Sequence, residues 1–501
     1  GSHPSALQNP AYRSTGVFLP RGAAHTPCVA LPKSIILRPK AAFGLGGIAM
    51  VAQEIAGAPI VPTGPKGLPV LGHLLDLRKD AIGFFERSAR EHLDVTRLQL
   101  GGWPTLLINN SDLIEQVMVK QHEKFIKNRF FWRQLEALLG TGLFTAEGAA
   151  WQRQRKLAAP AFATLPLQSY APDMVAMAER MVGSWEDGQE IELHAAMMEL
   201  ALRIAAKSLL NAEIDDYLAD FEQAGTWIID EIAARVARPV RIPDWVPLPG
   251  HIRYLRGVSY IERLVYRVIE DHRKSGGSGN DFLSLLMAAR DDDGKPLSDK
   301  QLRDEVHNML LAGYETSAIS VSWGFHLLGQ HRDLQEAIAD EVRAVAGGRP
   351  LSHEDIPNLT RTEHAVIEIM RLYPPAWSIG REAREEAWVG GYHIPKGTTI
   401  FMSPWVTHRD PRYFVDPTAF KPERWAGDFR RRLPRFAYYP FGGGPRICIG
   451  NRFAMMEAML LIATIARHFD VERMMERPVT PSPSITLRPG GGVWVRVHKR
   501  R

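Results

Sequence analysis

One cysteine near the C-terminal end, Cys448, lies in the run Phe-Gly-Gly-Gly-Pro-Arg-Ile-Cys-Ile-Gly that fills residues 441–450. A thiolate is costly in an apolar interior unless hydrogen-bond donors and positive charge keep it deprotonated. The glycines let backbone N–H groups approach the sulfur, and Arg446 stands two residues before it. A structural cysteine packed as a small hydrophobe needs none of this. The only other cysteine, Cys28, is too distant in sequence to indicate a disulfide framework or a four-ligand zinc site. The run therefore predicts that Cys448 is a thiolate ligand of a metal centre.

The pattern Phe441, Gly444, Arg446, Cys448 and Gly450 resembles the haem-binding loop of the cytochrome P-450 family, the haem-thiolate monooxygenases. The resemblance implies that the cofactor is haem b and that Cys448 binds its iron. It also implies the cytochrome P-450 fold, which is mostly α, with a large helical body and a small β-rich lobe. Helical periodicity, as from Val175 to Leu210, agrees with this fold, and residues 95–100 and 105–108 on either side of Gly101-Gly102 are predicted to form a hairpin.

A second motif, Ala-Gly-Tyr-Glu-Thr-Ser, occupies residues 312–317 within a long helical pattern. Ser298 followed by Gln301 predicts a capping box at the start of this helix. The resemblance implies that Glu315 and Thr316 lie on the oxygen side of the haem and pass protons for dioxygen activation. A structural alternative stays open, in which the Thr316 hydroxyl bonds back to the carbonyl of Ala312. The two interpretations are compatible.

A third motif places Glu368 three residues before Arg371, on one helical face. As a surface pair it would contribute only ~0.2–0.5 kcal/mol. The resemblance instead implies that Glu368, Arg371 and Arg424 form one ion network that fixes the segment before the cysteine loop. This network would serve folding and haem retention rather than chemistry.

Haem propionates need hydrogen-bond donors and positive charge around them, and four residues are candidates for this role. Trp151 and Arg155 are four apart, so on a helix both point the same way, and the resemblance implies that they meet a propionate. Arg381 and Arg446 are further candidates, because arginine pairs bidentately with carboxylates and stays charged when buried. Ordinary surface positions are the alternative, and this alternative is strongest for Arg381.

The resemblance runs from Pro62 to Arg501, which predicts one monooxygenase domain over residues 62–501. Residues 1–61 are predicted to be a basic, poorly ordered extension, with a tag remnant at residues 1–3. The whole chain has 61 basic and 56 acidic residues, and residues 1–53 contain five of the basic and none of the acidic ones. The net charge of +5 therefore belongs to the extension, and it gives no reason to expect nucleic-acid binding by the domain.

Apolar and aromatic residues fill the segments that line the distal pocket in the family, which predicts a lipophilic substrate such as a fatty acid, a terpenoid or a polyketide. Ordinary core packing is the alternative for each residue alone. The segments are 130–132 with Leu135, Phe144, 227–229, 309–311, 376–379 and 485–487.

Two details favour a long-chain acid among these substrates. The sequences around Cys448 and over residues 422–425 resemble the fatty-acid-hydroxylating branches of the family. Lys124, Lys127 and Arg129 lie next to the aromatic run and fit either a carboxylate at a channel mouth or, as the favoured interpretation, solvated surface positions.

The predicted function is insertion of one oxygen atom from O2 into a C–H bond of the substrate. A haem-thiolate isomerase or dehydratase that needs no oxygen is one alternative, and a haem carrier or gas sensor without turnover is another. The Glu315-Thr316 pair argues against the isomerase, because such an enzyme has no use for a proton relay to dioxygen.

Electrons are expected from a separate partner, since the chain has no glycine-rich dinucleotide motif after a strand. Basic residues before the cysteine loop and on the predicted 151–156 helix indicate an acidic ferredoxin or flavodoxin with its reductase, drawing indirectly on NAD(P)H. These residues are Arg153, Lys156, Arg430, Arg431, Arg432 and Arg435. The uncharged stretch at residues 41–53 is far shorter than the ~20 residues that span a bilayer. We therefore expect no transmembrane anchor and a cytoplasmic location.

Overall fold

The computed structural model describes residues 60–132, 135–237, 242–243, 245–276, 279, 281–290 and 294–500. Most of the predicted basic extension, with its tag remnant, lies outside these residues. Pro59–Arg501 cluster as one unit.

Helices make up most of the described chain, as the sequence predicts. In chain order they are α1 Leu74–His92, α2 Ser111–Glu115, α3 Arg129–Trp132, α4 Glu136–Leu139, α5 Gly148–Ala158, α6 Thr164–Gly183, α7 Leu193–Leu210, α8 Leu218–Ala237, α9 Pro249–Lys274, α10 Phe282–Ala288, α11 Asp299–Leu328, α12 Arg332–Ala346, α13 Thr360–Leu372, α14 Pro404–Thr407, α15 Phe429–Arg432 and α16 Asn451–His468.

The strands are short and form a small β-rich part. They are β1 Val95–Leu100, β2 Trp103–Ile108, β3 Phe125–Lys127, β4 Glu190–Glu192, β5 Ile379–Ala383, β6 Ala387–Val389, β7 Tyr392–Ile394, β8 Thr399–Met402, β9 Phe469–Arg473, β10 Thr480–Pro483, β11 Leu487–Gly490 and β12 Trp494–Lys499. One sheet has the order β1-β2-β8-β5-β3 and another β4-β12-β9, while β6-β7 and β10-β11 are two-stranded. The predicted hairpin around residues 101–102 is confirmed, and its second strand begins at Trp103 rather than Thr105.

The apolar pattern from Val175 to Leu210, which we interpreted as helical, contains a break. Helix α6 ends at Gly183, and α7 begins after Glu192, whose carboxylate caps the helix by accepting from two backbone N–H groups. Between them, β4 pairs with β12 about 300 residues away in sequence. Local periodicity cannot report such pairing, because the partner strand is remote.

Helix α11 runs through the main hydrophobic core and positions the second motif. It begins with the predicted capping box, in which Ser298 and Gln301 satisfy each other's backbone N–H groups. Both the N-terminal stretch 302–310 and the C-terminal stretch 317–328 are buried. Residues 311–313, 315 and 316 are only partly buried, so the packing around the helix is less complete at the motif.

Candidate functional site

The cysteine loop is held in shape by its own backbone. The Cys448 N–H donates to the Phe441 carbonyl over 3.0 Å, which closes the loop between these two residues. Gly444 has φ +66°, and a Cβ there would lie 2.0 Å from the Met118 carbonyl oxygen. Only glycine fits this close approach. Gly444 therefore lets the loop pack against the segment at Met118. This role adds to the backbone freedom that the sequence analysis assigned to the glycines.

The Cys448 thiol lies inside the body but borders open space. Its side chain is exposed, although burial is the largest influence on its pKa, which is raised. Both observations hold if the sulfur faces an internal cavity rather than the outer surface. The Gly450 N–H and the positive charge of Arg155 oppose the effect of burial and favour the thiolate. These are the donor and the cation that a thiolate ligand requires.

Arg155 on α5 contacts the cysteine loop itself. Its Nη1 donates to the Ile447 carbonyl over 2.6 Å, and burial lowers the pKa of its guanidinium while the nearby Cys448 raises it. Trp151, one turn earlier, lies under the guanidinium of Arg446 at 4.2 Å from its ring centre. The predicted shared face of Trp151 and Arg155 is therefore turned toward the loop.

A cluster of three cations and one carboxylate lies beside this loop. Lys127 and Arg381 are directly opposite each other on the antiparallel strands β3 and β5, and Arg446 acts on both of their pKa values. The carboxylate is Glu147, which pairs with Arg446. Burial and then Arg446 lower the pKa of Arg381 to about 10. Burial, Arg446 and Arg381 together lower the pKa of Lys127.

Like charges directly opposite each other on neighbouring strands are destabilising. Within the described residues, the Arg381 guanidinium makes no ion pair and donates to the Gly380 carbonyl over 2.9 Å. The cluster as a whole carries more positive than negative charge. A ligand with two carboxylates next to the Cys448 loop would correct this imbalance, and the two propionates of haem b are such a pair.

The residues present therefore fit a haem group. Cys448 would supply the sulfur ligand, Arg155 and the Gly450 N–H favour its thiolate form, and Arg381, Arg446 and Lys127 would supply charge for the propionates. The sequence analysis favoured a solvated surface position for Lys127; its side chain instead packs against Trp132 and Phe144, with Nζ 5.0 Å from each ring centre, and burial is the largest cause of its lowered pKa. Its pairing with Arg381 depends on a strand register that the local sequence does not reveal.

The other two channel-mouth candidates take no part in this cluster. Arg129 donates through Nε to the buried carboxylate of Glu382 over 2.8 Å, and its backbone N–H donates to the same group over 3.1 Å. Lys124 contributes its carbonyl to the Arg384 N–H over 2.9 Å. The side chains of Phe130 and Phe131 lie outside the described part of the structure.

Thr316 and Glu315 on α11 face different partners. The Thr316 hydroxyl donates to the Ala312 carbonyl over 2.8 Å, as the structural alternative predicts. Glu315 Oε1 accepts from Arg488 Nε over 2.6 Å and from Thr486 Oγ1 over 2.7 Å. Both side chains lie in the partly buried stretch at the centre of the helix, and among the described residues no hydrogen bond joins one to the other.

Glu457 on α16 is a buried acid that the sequence analysis missed. Its side chain accepts from Ser317 Oγ, the residue that follows Thr316 on α11. Burial raises the pKa of Glu457 to about 8, and the Ser317 hydrogen bond opposes this only in part. The signal that was available is a lone glutamate inside an apolar helical pattern, Met-Glu-Ala-Met-Leu-Leu at residues 456–461.

We expect the variant Glu457→Gln to change how stability depends on pH. The native carboxyl keeps its proton up to about pH 8, while the unfolded chain releases it near 4.5. The native state therefore binds more protons between these values, so wild-type stability falls as pH rises through them. The free energy of unfolding of E457Q, measured relative to that of the wild type, should therefore rise by up to ~1.4 kcal/mol per pH unit. Urea denaturation from pH 5 to pH 8 measures this, and a constant difference across that range would contradict it.

The predicted ion network is confirmed: the Glu368 and Arg371 side chains are fully buried, and that of Arg424 is 8% exposed. Glu368 accepts from Arg371 through two bonds of 2.8 Å each, from Arg424 Nε over 2.9 Å and from the Trp425 indole over 2.8 Å. Arg371 also donates to the carbonyls of His408, Pro417 and Ala419.

His408 connects this network to the cysteine loop. Its Nε2 accepts from the Tyr439 N–H over 2.9 Å, and its Nδ1 lies 3.3 Å from the Arg371 carbonyl. The Tyr439 carbonyl in turn accepts from the Gly442 N–H over 2.9 Å. The two His408 bonds are buried, so a continuous chain of contacts connects Glu368 and Arg371 to the loop.

The basic residues that we assigned to a docking face are exposed. Arg153 and Lys156 lie on the outer side of α5, whereas Arg155 is half-buried. Arg430, Arg431, Arg432 and Arg435 are also exposed, and acidic neighbours contact two of them, Asp428 beside Arg432 and Glu115 at 3.9 Å from Arg435.

None of the helices in the described ranges is both long enough and apolar enough to cross a bilayer.

Comparison with known proteins identifies the family. The family model described as cytochrome P-450 matches residues 62–495. Cyclooctatin synthase of Streptomyces melanosporofaciens is 32% identical, over 85% of this chain and 93% of the relative. Pentalenene oxygenase of Streptomyces avermitilis is 30% identical, over 86% of this chain and 94% of the relative. The solved structure of retinoic acid bound cyanobacterial CYP120A1 matches with a TM-score of 0.79 and 26% identity, over 88% of this chain and all of that one. The chain belongs to the cytochrome P-450 family of haem-thiolate monooxygenases.

Proposed function

We propose that the protein hydroxylates a neutral terpenoid, inserting one oxygen atom from O2 into a C–H bond. The observation that carries this choice is that two of the cations predicted at the channel mouth already have other partners or an assigned place beside the cysteine loop. Arg129 is bonded to Glu382, and Lys127 belongs to the cluster with Arg381 and Arg446. A fatty-acid carboxylate would find neither of them available, whereas a hydrocarbon or alcohol needs no cation.

The relatives support the same substrate class. Cyclooctatin synthase and pentalenene oxygenase are both named for terpenoids. The described aromatic residues near α11 suit such a substrate, since Trp132 and Phe144 make an edge-to-face contact with ring centres 4.6 Å apart. The Phe144 N–H donates to Asn308 of α11 over 2.8 Å, so the aromatic pair is anchored to the same helix as Thr316.

A spectral titration of the ferric holoenzyme tests the substrate class. Cyclic terpene hydrocarbons and alcohols should shift the haem absorption at lower concentration than fatty acids of similar carbon number. Product formation from the best terpenoid should require both O2 and reductant. Tighter binding and faster turnover of a fatty acid would overturn the proposed class. Turnover without O2 or reductant would point to an isomerase or dehydratase.

The haem b group would be held by Cys448 and by the cations Arg155, Arg381, Arg446 and Lys127. Bound there, it supplies the redox chemistry that activates O2. We propose that Thr316 and Glu315 move protons toward the oxygen side of the site. The partly buried stretch around Thr316 and the resemblance of the motif at residues 312–317 support this role. Phe441, half-buried next to the main core, contributes apolar contact beside the loop.

We propose that the electron donor is an acidic ferredoxin or flavodoxin, reduced by its own reductase at the expense of NAD(P)H. The exposed arginines before the cysteine loop support this, together with Arg153 and Lys156 on α5. Association through opposite charges weakens as salt screens them. Stopped-flow measurement of the first electron transfer should therefore show a rate that falls with rising ionic strength. A rate that is indifferent to salt would rule out charge-guided docking on this face.

A further inference from the structure

Glu147 is an acid in a cluster whose other charged members are cations. It directly precedes α5, and its two carboxylate oxygens have different partners. Oε1 accepts from the Lys127 backbone N–H over 3.0 Å, and Oε2 accepts from Nη2 of Arg446. The residue therefore joins strand β3, the start of α5 and the cysteine loop through direct contacts. An acid at this place requires an explanation, because it competes with the haem propionates for the same cations.

The Arg446 guanidinium is held from three directions. Nη1 donates to the Ala146 carbonyl over 2.8 Å, Nη2 donates to Glu147, and the group lies over the Trp151 ring at 4.2 Å from its centre. The Arg446 side chain is 17% exposed, so these contacts fix the plane of the guanidinium. Since a guanidinium has five N–H donors in a rigid fork, donors remain for a propionate. Glu147 thus offsets the charge of Arg446 without using all its hydrogen bonds.

The charge of the cluster equals that of two propionates when Glu147 is counted with the cations. Lys127, Arg381 and Arg446 supply three positive charges and Glu147 supplies one negative charge, so two positive charges remain. Two ionised propionates bring two negative charges, and they would oppose the repulsion that lowers the pKa of Lys127. With Glu147 the occupied site is balanced at this edge, and without it one positive charge would be in excess.

The net charge beside a haem affects how readily its iron accepts an electron. Reduction adds one negative charge, so excess positive charge nearby favours the reduced form. The Glu147 side chain is 34% exposed, and solvent therefore weakens its influence without removing it. The Cys448 thiolate has its own cation, Arg155, and this pair is the same with or without Glu147.

We propose that Glu147 is a positioning residue that fixes Arg446, offsets its charge beside the propionates and thereby lowers the reduction potential of the haem. The inference rests on the proposed haem site of Cys448, Arg381, Arg446 and Lys127, and it is independent of the substrate class. With Glu147 in place, the haem takes its first electron from the redox partner less readily than it would beside an excess of positive charge.

Potentiometric titration of the substrate-free holoenzyme tests this proposal. In Glu147→Gln the amide oxygen can still accept from the Lys127 N–H, so the main change is the loss of one negative charge. The equilibrium constant for reduction should rise about threefold or more, which is ~28 mV for a one-electron couple. Glu147→Asp keeps the charge and should stay near the wild type. Glu190→Gln is the matched control and should also stay there, since Glu190 is 40% exposed and pairs with Arg496 on β12 at 2.7 Å.

The sign of the shift separates a charge effect from structural damage. Arg446→Gln should lower the equilibrium constant for reduction, because it removes a positive charge. The double variant E147Q/R446Q removes one charge of each sign and should return close to the wild type. Structural damage by each substitution would not give two opposite shifts that cancel. If R446Q does not retain haem, Arg381→Gln removes the same charge and takes its place in the comparison.

Three other results would contradict the proposal. A potential of E147Q equal to that of E190Q, while R446Q and R381Q are lowered, would overturn the role of Glu147 alone. A shift in E147D as large as that in E147Q would show that the shape of the side chain matters rather than its charge. Unchanged potentials in E147Q, R446Q and R381Q together would instead overturn the placement of the propionates among these cations, on which the proposal rests.

Discussion

The Cys448→Ala variant should lose the thiolate-type haem absorption and all monooxygenase turnover. Cys448 is the sulfur that the Gly450 N–H and Arg155 favour as a thiolate, and alanine offers no donor in its place. No cluster of three or more histidine, cysteine or acidic residues elsewhere in the described chain offers an alternative metal site. Absorption spectra of the reduced protein treated with carbon monoxide measure the change.

Cys28→Ala is the matched control for this experiment, because Cys28 is the only other cysteine. It should keep both the absorption and the activity of the wild type. Circular dichroism shows whether C448A still folds, so that loss of the cofactor is separated from loss of the protein. A folded C448A protein that keeps thiolate-type absorption would show that another residue binds the iron.

The Glu368→Gln variant should strongly lower the free energy of unfolding. Glu368 and Arg371 have fully buried side chains, and Arg424 is nearly so, so removing the carboxylate charge leaves two guanidinium groups without compensation. Breaking a buried ion pair on one side costs about 3–5 kcal/mol. Urea denaturation of the holoenzyme measures the free energy of unfolding. Haem release should also be faster, since His408 and Tyr439 connect this network to the cysteine loop.

Asp340→Asn is the matched control for E368Q. Asp340 and Arg343 have the same spacing of three residues on a helix, but both side chains are about half exposed or more. Exposed pairs contribute ~0.2–1 kcal/mol or less, so D340N should unfold almost like the wild type. If E368Q does not fold when expressed, haem release from Arg371→Lys supplies the same comparison. Equal stability and equal haem release in the buried and exposed variants would contradict the proposed function of the network.

The motifs allowed a large part of this protein to be predicted because they carry local requirements. The Ser298 capping box, the back-bonded Thr316 and the hairpin at residues 101–102 each depend on a few neighbouring residues, and each was found as predicted. The Glu368, Arg371 and Arg424 network came from the family resemblance, and the structure confirms it. The assignments of Cys448 to iron and of Trp151, Arg155, Arg381, Phe441 and Arg446 to haem remain predictions that the geometry supports.

The parts that the sequence did not reveal depend on contacts between remote segments. Lysine is a residue type usually found at the surface, and only the register of Lys127 against Arg381 places it inside a cationic cluster. Glu457 resembles a solvated glutamate until its helix packs against Ser317 and buries it. Glu315 was assigned from its neighbour Thr316, yet its bonds are made with a hairpin more than 170 residues away in sequence.

The sequence by itself therefore determined the family, the helical architecture and the residue types that the haem chemistry requires, because each of these is written in short motifs with fixed spacing. The tertiary structure decided which charges are buried and which partners they have. The pKa of a buried group and the direction of its side chain depend on what packs around it. This is why the placement of Lys127 and Glu457 and the Glu315–Arg488 bond could be found only in the folded chain.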